Sequence, residues 1–503
     1  MTNDPRRLPR PGRVQRLRPR GLVLLASFLC GALNPAFADV SVNDLPEIGD
    51  SGGAVISPTE EQKLGKEFLR SVRQQAHLVD DVDINAYLDS LGQRLASAAS
   101  DPAHTFTFFM VEDSSINAFA GPGGFIGVHT GLIDAAENES ELAGVLSHEI
   151  AHVTQRHLIR AYEKANQMSL PTTAAIIAAV LLGVATKSDA GVAAVSAIQA
   201  GSLQYQINFT RDNEKEADRI GMQIMHSAGY DPFGMSSFFE RLQRSTRLYG
   251  EGLPDFLSTH PVTTDRIAEA VSRAQELGHT GKRDALEFQL AKARLAVLES
   301  HEPQTTLRYF QDRVKDHPDS AYDQYGLALA LERGGDVEGA RKIYQTLRKN
   351  DPDRILYRTG LADLELDHGQ PDQALALLES TLALYPGDVT VSKHYAGALM
   401  RTGHAEQARK LVAQVLENPR AQTPESYMLM ARAAEAAGRR WEANQATAEM
   451  YFLNGQTKAA VQQLEQALQE KGLDYYSRSS LEARLTLFKE IAQSEKSDKR
   501  SRE

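Results

Sequence analysis

His148, Glu149 and His152 form the pattern H-E-x-x-H within the stretch Glu139 to Thr154. On a helix, residues four apart lie about 40° apart around the axis and about 6 Å along it. Two imidazoles at that spacing can bind one metal ion from the same face. Glu149 then lies on the adjacent flank, where its carboxylate can hold a water bound to that ion. The pattern predicts metal-assisted hydrolysis of a peptide bond.

A hydrolytic metal site needs a third protein ligand and an open position for water. Glu214, in Arg211-Asp-Asn-Glu-Lys-Glu-Ala-Asp, is the candidate. Glu214 and Asp218 are four apart and share a helix face. Glu214 can bind the ion while Asp218 accepts a hydrogen bond from a ligand histidine. Glu216 falls on roughly the opposite face and reads as solvated.

The elements that must place these groups are legible around them. Asn138 or Ser140 caps a helix start, and Glu139 and Glu141 suit its first turn. Leu142, Val145, Leu146, Ile150 and Val153 recur at helical spacing. No proline interrupts the run from Leu142 to about Asn166, so one long helix is expected. Asp212 is the expected cap of a second helix, which Gly229 ends. Phe106 to Val111 reads as a strand. Asn117 to Ala120 and Phe125 to Thr130 flank the turn Gly121-Pro-Gly-Gly. The strand pair is either an ordinary packed hairpin or an exposed edge that pairs with an extended peptide.

H-E-x-x-H followed some sixty residues later by E-x-x-x-D resembles the gluzincin family of metallopeptidases. That family includes the prenyl-protein endopeptidases and the mitochondrial inner-membrane quality-control proteases. Three further stretches carry the resemblance: Asn117 to Leu132, Glu214-Lys-Glu-Ala-Asp218, and Ser258-Thr-His-Pro followed by Arg266. It covers roughly residues 55 to 275. It implies His148, His152 and Glu214 as ligands of one Zn2+ per chain and Glu149 as general base. Asp218 becomes the orienting or proton-handling carboxylate.

His260 and Arg266 admit several roles. They can stabilise a developing oxyanion opposite the metal. His260 can instead act as a fourth ligand that closes the open position. It can also simply precede the helix that starts near Thr264. Ser258, Thr259 and Pro261 place it on a loop.

The N-terminus carries seven Arg by Arg20, then an apolar run from Gly21 to Leu33, then Ala36-Phe-Ala38. This reads as a secretory signal cleaved after residue 38, and it places the mature chain in the periplasm. Cleavage removes Cys30, the only cysteine of the 503 residues. It also removes seven Arg and one Asp, a net +6, and moves the formal charge from −11 to −17. Such a chain has no charge basis for binding nucleic acid. Residues 174–198 are apolar in two short runs, each too short to span a bilayer. They are either buried in the protein or in contact with a membrane surface.

The second half repeats. Pro318, Pro352 and Pro386 are 34 residues apart, as are Gly335, Gly369 and Gly403, and Ala340, Ala374 and Ala408. Gly438 and Ala443 continue the series with one extra residue. A 34-residue period in helical sequence is the tetratricopeptide signature. Each Gly is expected at the turn within a helix pair and each Pro at the turn to the next. Stacked pairs form a superhelix with a concave face. Tyr322, Tyr325, Tyr357 and Tyr395 fall on first helices of pairs.

The expected fold class is α+β and mostly helical: a zincin-type metalloprotease domain with a small β-sheet, then an all-α tetratricopeptide superhelix. The expected bounds are signal 1–38, protease 39–280, repeats 281–480 and a charged tail 481–503. This whole arrangement resembles the bacterial periplasmic proteases that serve outer-membrane β-barrel assembly. The resemblance implies outer-membrane β-barrel substrates and the barrel-assembly machinery as partners of the repeats. It also allows a chaperone-like role. The alternative is mainly a binding scaffold with a latent protease domain.

Overall fold

The computed structural model describes residues 56–163, 170–181, 211–249, 255–281 and 285–500. The expected signal and residues 182–198 lie outside them. Among the described residues no helix is long and apolar enough to cross a membrane.

A three-stranded sheet, β1 (Thr107–Val111), β2 (Ala118–Ala120) and β3 (Phe125–His129), has the order β1-β3-β2. β1 runs parallel to β3, with Thr107 opposite Phe125, and β2 runs antiparallel, with Ala118 opposite Val128. Residues of the sheet alternate between two cores. Met110, Ala118, Ala120, Ile126 and Val128 face the larger one. Phe109, Val111, Phe119 and Phe125 face the smaller.

Helix α1 (Pro58–Gln75) covers the smaller core and α2 (Val82–Ala98) the larger. After β3 come α3 (Thr130–Ala135), α4 (Glu139–Thr154), α5 (His157–Glu163) and α6 (Leu170–Leu181). Then follow α7 (Arg211–Ser227), α8 (Phe233–Tyr249), α9 (Asp255–Thr259) and α10 (Thr264–Leu277). The expected single helix to Asn166 is broken after Thr154. Arg156 takes a left-handed φ of 52°, its N–H donates to Val153 O, and its side chain reaches Glu61 at 3.3 Å. Asp212 lies inside the first turn of α7 rather than capping it.

Residues 174–198 split. Ala174, Ile177, Ala178 and Leu181 of α6 are buried in the smaller core, so this part is core and not membrane-facing. β2 is an edge strand, and its residues Ala118, Phe119 and Ala120 are buried, with α4 packed against it.

The repeats begin with α11 (Leu286–Leu298) and α12 (Pro303–Asp316). Helix pairs follow: α13 (Ala321–Arg333) with α14 (Val337–Asn350), and α15 (Ile355–Asp367) with α16 (Pro371–Leu384). Next are α17 (Val389–Arg401) with α18 (Ala405–Leu416), and α19 (Pro424–Ala436) with α20 (Arg440–Leu453). Last are α21 (Thr457–Gln469) and α22 (Tyr475–Arg500). Gly335, Gly369 and Gly403 sit in the turns within pairs with φ of 85°, 77° and 81°. Ala340, Ala374 and Ala408 are fully buried at the helix contacts. Tyr325 and Tyr357 belong to the core, whereas Tyr322 and Tyr395 are half-buried.

The expected tail 481–503 is helix as far as Arg500. Leu481 and Phe488, seven apart, share a face and are fully buried, with Phe488 stacked on Phe452 at 4.1 Å.

The repeats are docked on the first half. Arg70 of α1 donates to Phe452 O at 2.8 Å, lies 4.1 Å over the Phe452 ring and pairs with Glu495 at 3.0 Å. Further along the superhelix, Asp83 of α2 meets His394 of α17 at 3.3 Å and Arg294 of α11 at 3.1 Å. Burial opposes ionisation of Asp83, but Arg294 and His394 outweigh it and bring its pKa to about 2.

Candidate active site

Asn138 caps α4 by accepting the Glu141 N–H, and Glu141 is gripped by Arg241 and Ser237 of α8. These contacts fix where the H-E-x-x-H face points. α7 crosses α4 closely at Gly221, where an added Cβ would lie 2.9 Å from His148 N. Any side chain there would push the helices apart.

That crossing brings His148, His152 and Glu214 together, and the loop after α9 adds His260. All four are buried, and one donor atom from each lies within 4.8 Å of the others. His148 Nε2 is 3.0 Å from His152 Nε2 and 3.6 Å from Glu214 Oε2. His152 Nε2 is 3.4 Å from Glu214 Oε1. His260 Nδ1 is 2.9 Å from Glu214 Oε1 and 3.3 Å from His148 Nε2. A tetrahedron of bonds about 2.1 Å long has edges of about 3.4 Å, so three nitrogens and one carboxylate at these separations fit a divalent ion.

Glu149 is fully buried beside this group, where the backbone N–H of Ala120 on β2 favours its charged form. Its closest charged partner is His260 Nε2, at 3.5 Å. Burial raises its pKa, with His260 and His148 pulling the other way. Burial also opposes the charge on Glu214, yet the three histidines hold its pKa well below the usual carboxylate range. Burial drives His152 well below its ordinary value. Burial opposes protonation of His148 too, but Asp218 and Glu214 raise it to about 9, so a bound cation there displaces a proton.

Asp218 Oδ1 lies 3.0 Å from His148 Nδ1. Arg266 grips Asp218 with two parallel hydrogen bonds of 2.7 Å, from Nε to Oδ2 and from Nη2 to Oδ1. Its Nη1 is 2.7 Å from Glu214 Oε2 and donates to Pro261 O. Arg266 therefore braces carboxylates and is not aimed at an oxyanion. His260 is not on an open loop either. Its N–H donates to Phe256 O, and its side chain is buried. The cap of α10 is Thr263.

Sequence reasoning missed His157. Its Nδ1 is 2.9 Å from His152 Nδ1, and its Nε2 is 3.2 Å from Glu216 Oε2. Glu216 is thus half-buried and paired, not freely solvated. Burial pushes the His157 pKa down, with Glu216 opposing. His157 is five residues beyond His152, a spacing that gives no helical signal.

Residues 83–274 match peptidase family M48, and residues 290–355 and 365–433 match tetratricopeptide repeats. The chain is 33% identical over 470 residues to the β-barrel assembly-enhancing protease of Escherichia coli K12, spanning 93% of this chain and 96% of that one. It is 34% identical to a putative β-barrel assembly-enhancing protease of Vibrio cholerae, over 92% of this chain and 96% of the relative. The mitochondrial metalloendopeptidase OMA1 of Schizosaccharomyces pombe is 30% identical over 181 residues, 36% of this chain and 50% of that one. A buried donor cluster on an M48 framework, with relatives matched end to end, makes this chain a metallopeptidase of the β-barrel assembly-enhancing protease family.

Proposed function

We propose that the chain is a zinc endopeptidase of the periplasm, exported by a cleaved signal over residues 1–38. On this reading the protease part spans about 39–280, and it degrades misassembled outer-membrane β-barrel proteins. The repeats, from about 281, engage the barrel-assembly machinery and its substrates and give the protein a chaperone-like role beside proteolysis. The relatives' name, which ties them to β-barrel assembly, supports the substrate class. The observation that carries the chemistry is the buried convergence of His148, His152 and Glu214 beside the buried carboxylate of Glu149.

His148, His152 and Glu214 hold the ion. When bound, zinc lowers the pKa of a water towards about 7 and polarises a carbonyl. Glu149 takes the proton of the attacking water and returns it to the leaving amine. Its burial raises its proton affinity, which suits that shuttle. Asp218, clamped by Arg266, holds His148 Nδ1 so that Nε2 faces the ion. The test compares metal content and cleavage of casein or unfolded barrel protein between wild type and Glu149→Gln. Glu149→Gln should keep the metal and lose about 10²–10⁴ in rate. Near-full proteolysis by that variant would sink the mechanism.

One observation favours a closed resting state. His260 Nδ1 stands in the donor set, so it fills the position that water needs. A rise in activity on His260→Ala supports latency, and a fall supports a role in stabilising the oxyanion.

A further inference from the structure

The two helical histidines of the site face it through Nε2 and turn Nδ1 into the protein. His148 Nδ1 meets Asp218 directly. His152 Nδ1 meets a second imidazole, that of His157, and His157 meets Glu216. We propose that His157 and Glu216 are positioning residues of the metal site, forming a His152–His157–Glu216 chain that holds the Nε2 lone pair of His152 towards the ion. This rests on the metal site proposed above.

The argument is one of proton placement. A metal-binding His152 must present an unprotonated Nε2, so its proton sits on Nδ1. At 2.9 Å, that N–H requires an acceptor, so His157 Nδ1 is bare and its proton sits on Nε2. Nε2–H then donates to Glu216, whose carboxylate can only accept. The carboxylate at the far end makes His157 a better acceptor and His152 a better ligand.

The fold is arranged to allow this. In a continuous helix, residue 157 would lie about 140° around the axis from residue 152, facing away from it. The left-handed turn at Arg156 ends α4 and swings His157 back against His152. Arg156 is held in that turn by Glu61 and by a hydrogen bond to Ile56 O. His157 is buried, and Glu216, on α7, is half-exposed. The chain therefore runs from the ion site to the surface and ties α4 to α7 through contacts separate from the Asp218–Arg266 brace.

The experiment uses the full-length protein and two readouts: Zn2+ affinity by competition with a fluorescent chelator, and the visible spectrum of the Co2+ form. His157→Phe keeps a ring but removes the acceptor, and should weaken Zn2+ binding 10–100-fold and shift the Co2+ bands. His157→Asn places an amide oxygen near the Nδ1 position and should bind close to wild type. Glu216→Ala should weaken binding alone and add little in the His157→Phe background, because both act through one chain. Unchanged affinity and spectrum in His157→Phe would overturn the proposal. So would equal losses in the Asn and Phe variants, because only Asn keeps an acceptor for the His152 Nδ1 proton. If wild type itself binds no Zn2+, or His148→Ala binds as well as wild type, the metal site falls and this chain falls with it.

Discussion

Gly221 sets the distance between the helix carrying His148 and His152 and the helix carrying Glu214. An alanine Cβ there would stand 2.9 Å from His148 N and 3.0 Å from His148 Cα and Ser147 C. All three are backbone atoms of α4 and cannot rotate away. Ordinary contact begins at about 3.5 Å, so the helices must part by about 0.5 Å. Glu214 lies seven residues before Gly221, about 20° around the helix, so it moves with the crossing point. Misplacement by 1 Å can cost about 10²-fold in rate, and half that distance corresponds to about tenfold. Overpacking should add about 1–3 kcal/mol of destabilisation. The control is Gly229→Ala. Gly229 has a φ of 86° and nothing near its missing Cβ, so alanine costs only the left-handed backbone, about 1–2 kcal/mol. Thermal melting, Zn2+ affinity and peptide turnover at 20 °C separate the two. Both variants should lose stability, but only Gly221→Ala should lose affinity and turnover. If Gly221→Ala matches Gly229→Ala in both, the crossing does not set the span of the site.

Three other outcomes are expected. Arg266→Leu leaves Glu214 and Asp218 buried without their shared cation and should cost about 3–5 kcal/mol, read as a fall in Tm. Phe488→Ala should cost about 3–5 kcal/mol, concentrated in hydrogen exchange of α20 to α22; an unchanged exchange pattern would restore a loose tail. The third is a pH effect. Burial opposes the charge on His104, but hydrogen bonds with Asp101 and Glu61 raise its pKa to about 9. Its stabilisation is therefore complete below about pH 6.5 and lost as pH rises through about 9. His104→Gln should flatten the melting curve against pH in that window, and an unflattened curve would refute the linkage.

The parts of the site carried by regular geometry were legible in the sequence. His148 and His152 are one helical turn apart, as are Glu214 and Asp218, and the period of the repeats needs only spacing. The misses arose where distant contacts overrode local pattern. Nothing in Thr154-Gln-Arg-His157 signals a break, because Glu61, almost a hundred residues earlier, helps to hold Arg156 in it. His157 and Glu216 meet only because of that break. The sequence reads as helix to Leu487 and, from Ser494, as a solvated tail by charge, yet the helix runs on to Arg500, with Phe488 stacked on Phe452. Arg266 reads as a candidate to stabilise an oxyanion, because nothing in its spacing from Glu214 and Asp218, some fifty residues earlier, signals that they pair.

The contacts of Arg70 have a mechanical consequence. The repeats are joined to the first half by the chain at one end, by Asp83 with Arg294 and His394 along the way, and by this clasp at the far end, so the polypeptide forms a fastened loop. One of the clasp's partners is the carbonyl of Phe452, which no substitution of that side chain removes. Closure is intramolecular, at an effective concentration of about millimolar, and does not depend on how much partner is present. Anything that straightens the superhelix must therefore bind the unfastened form better by at least the strength of the clasp. The last repeats thus act as a latch, and what they grip can be felt at α1.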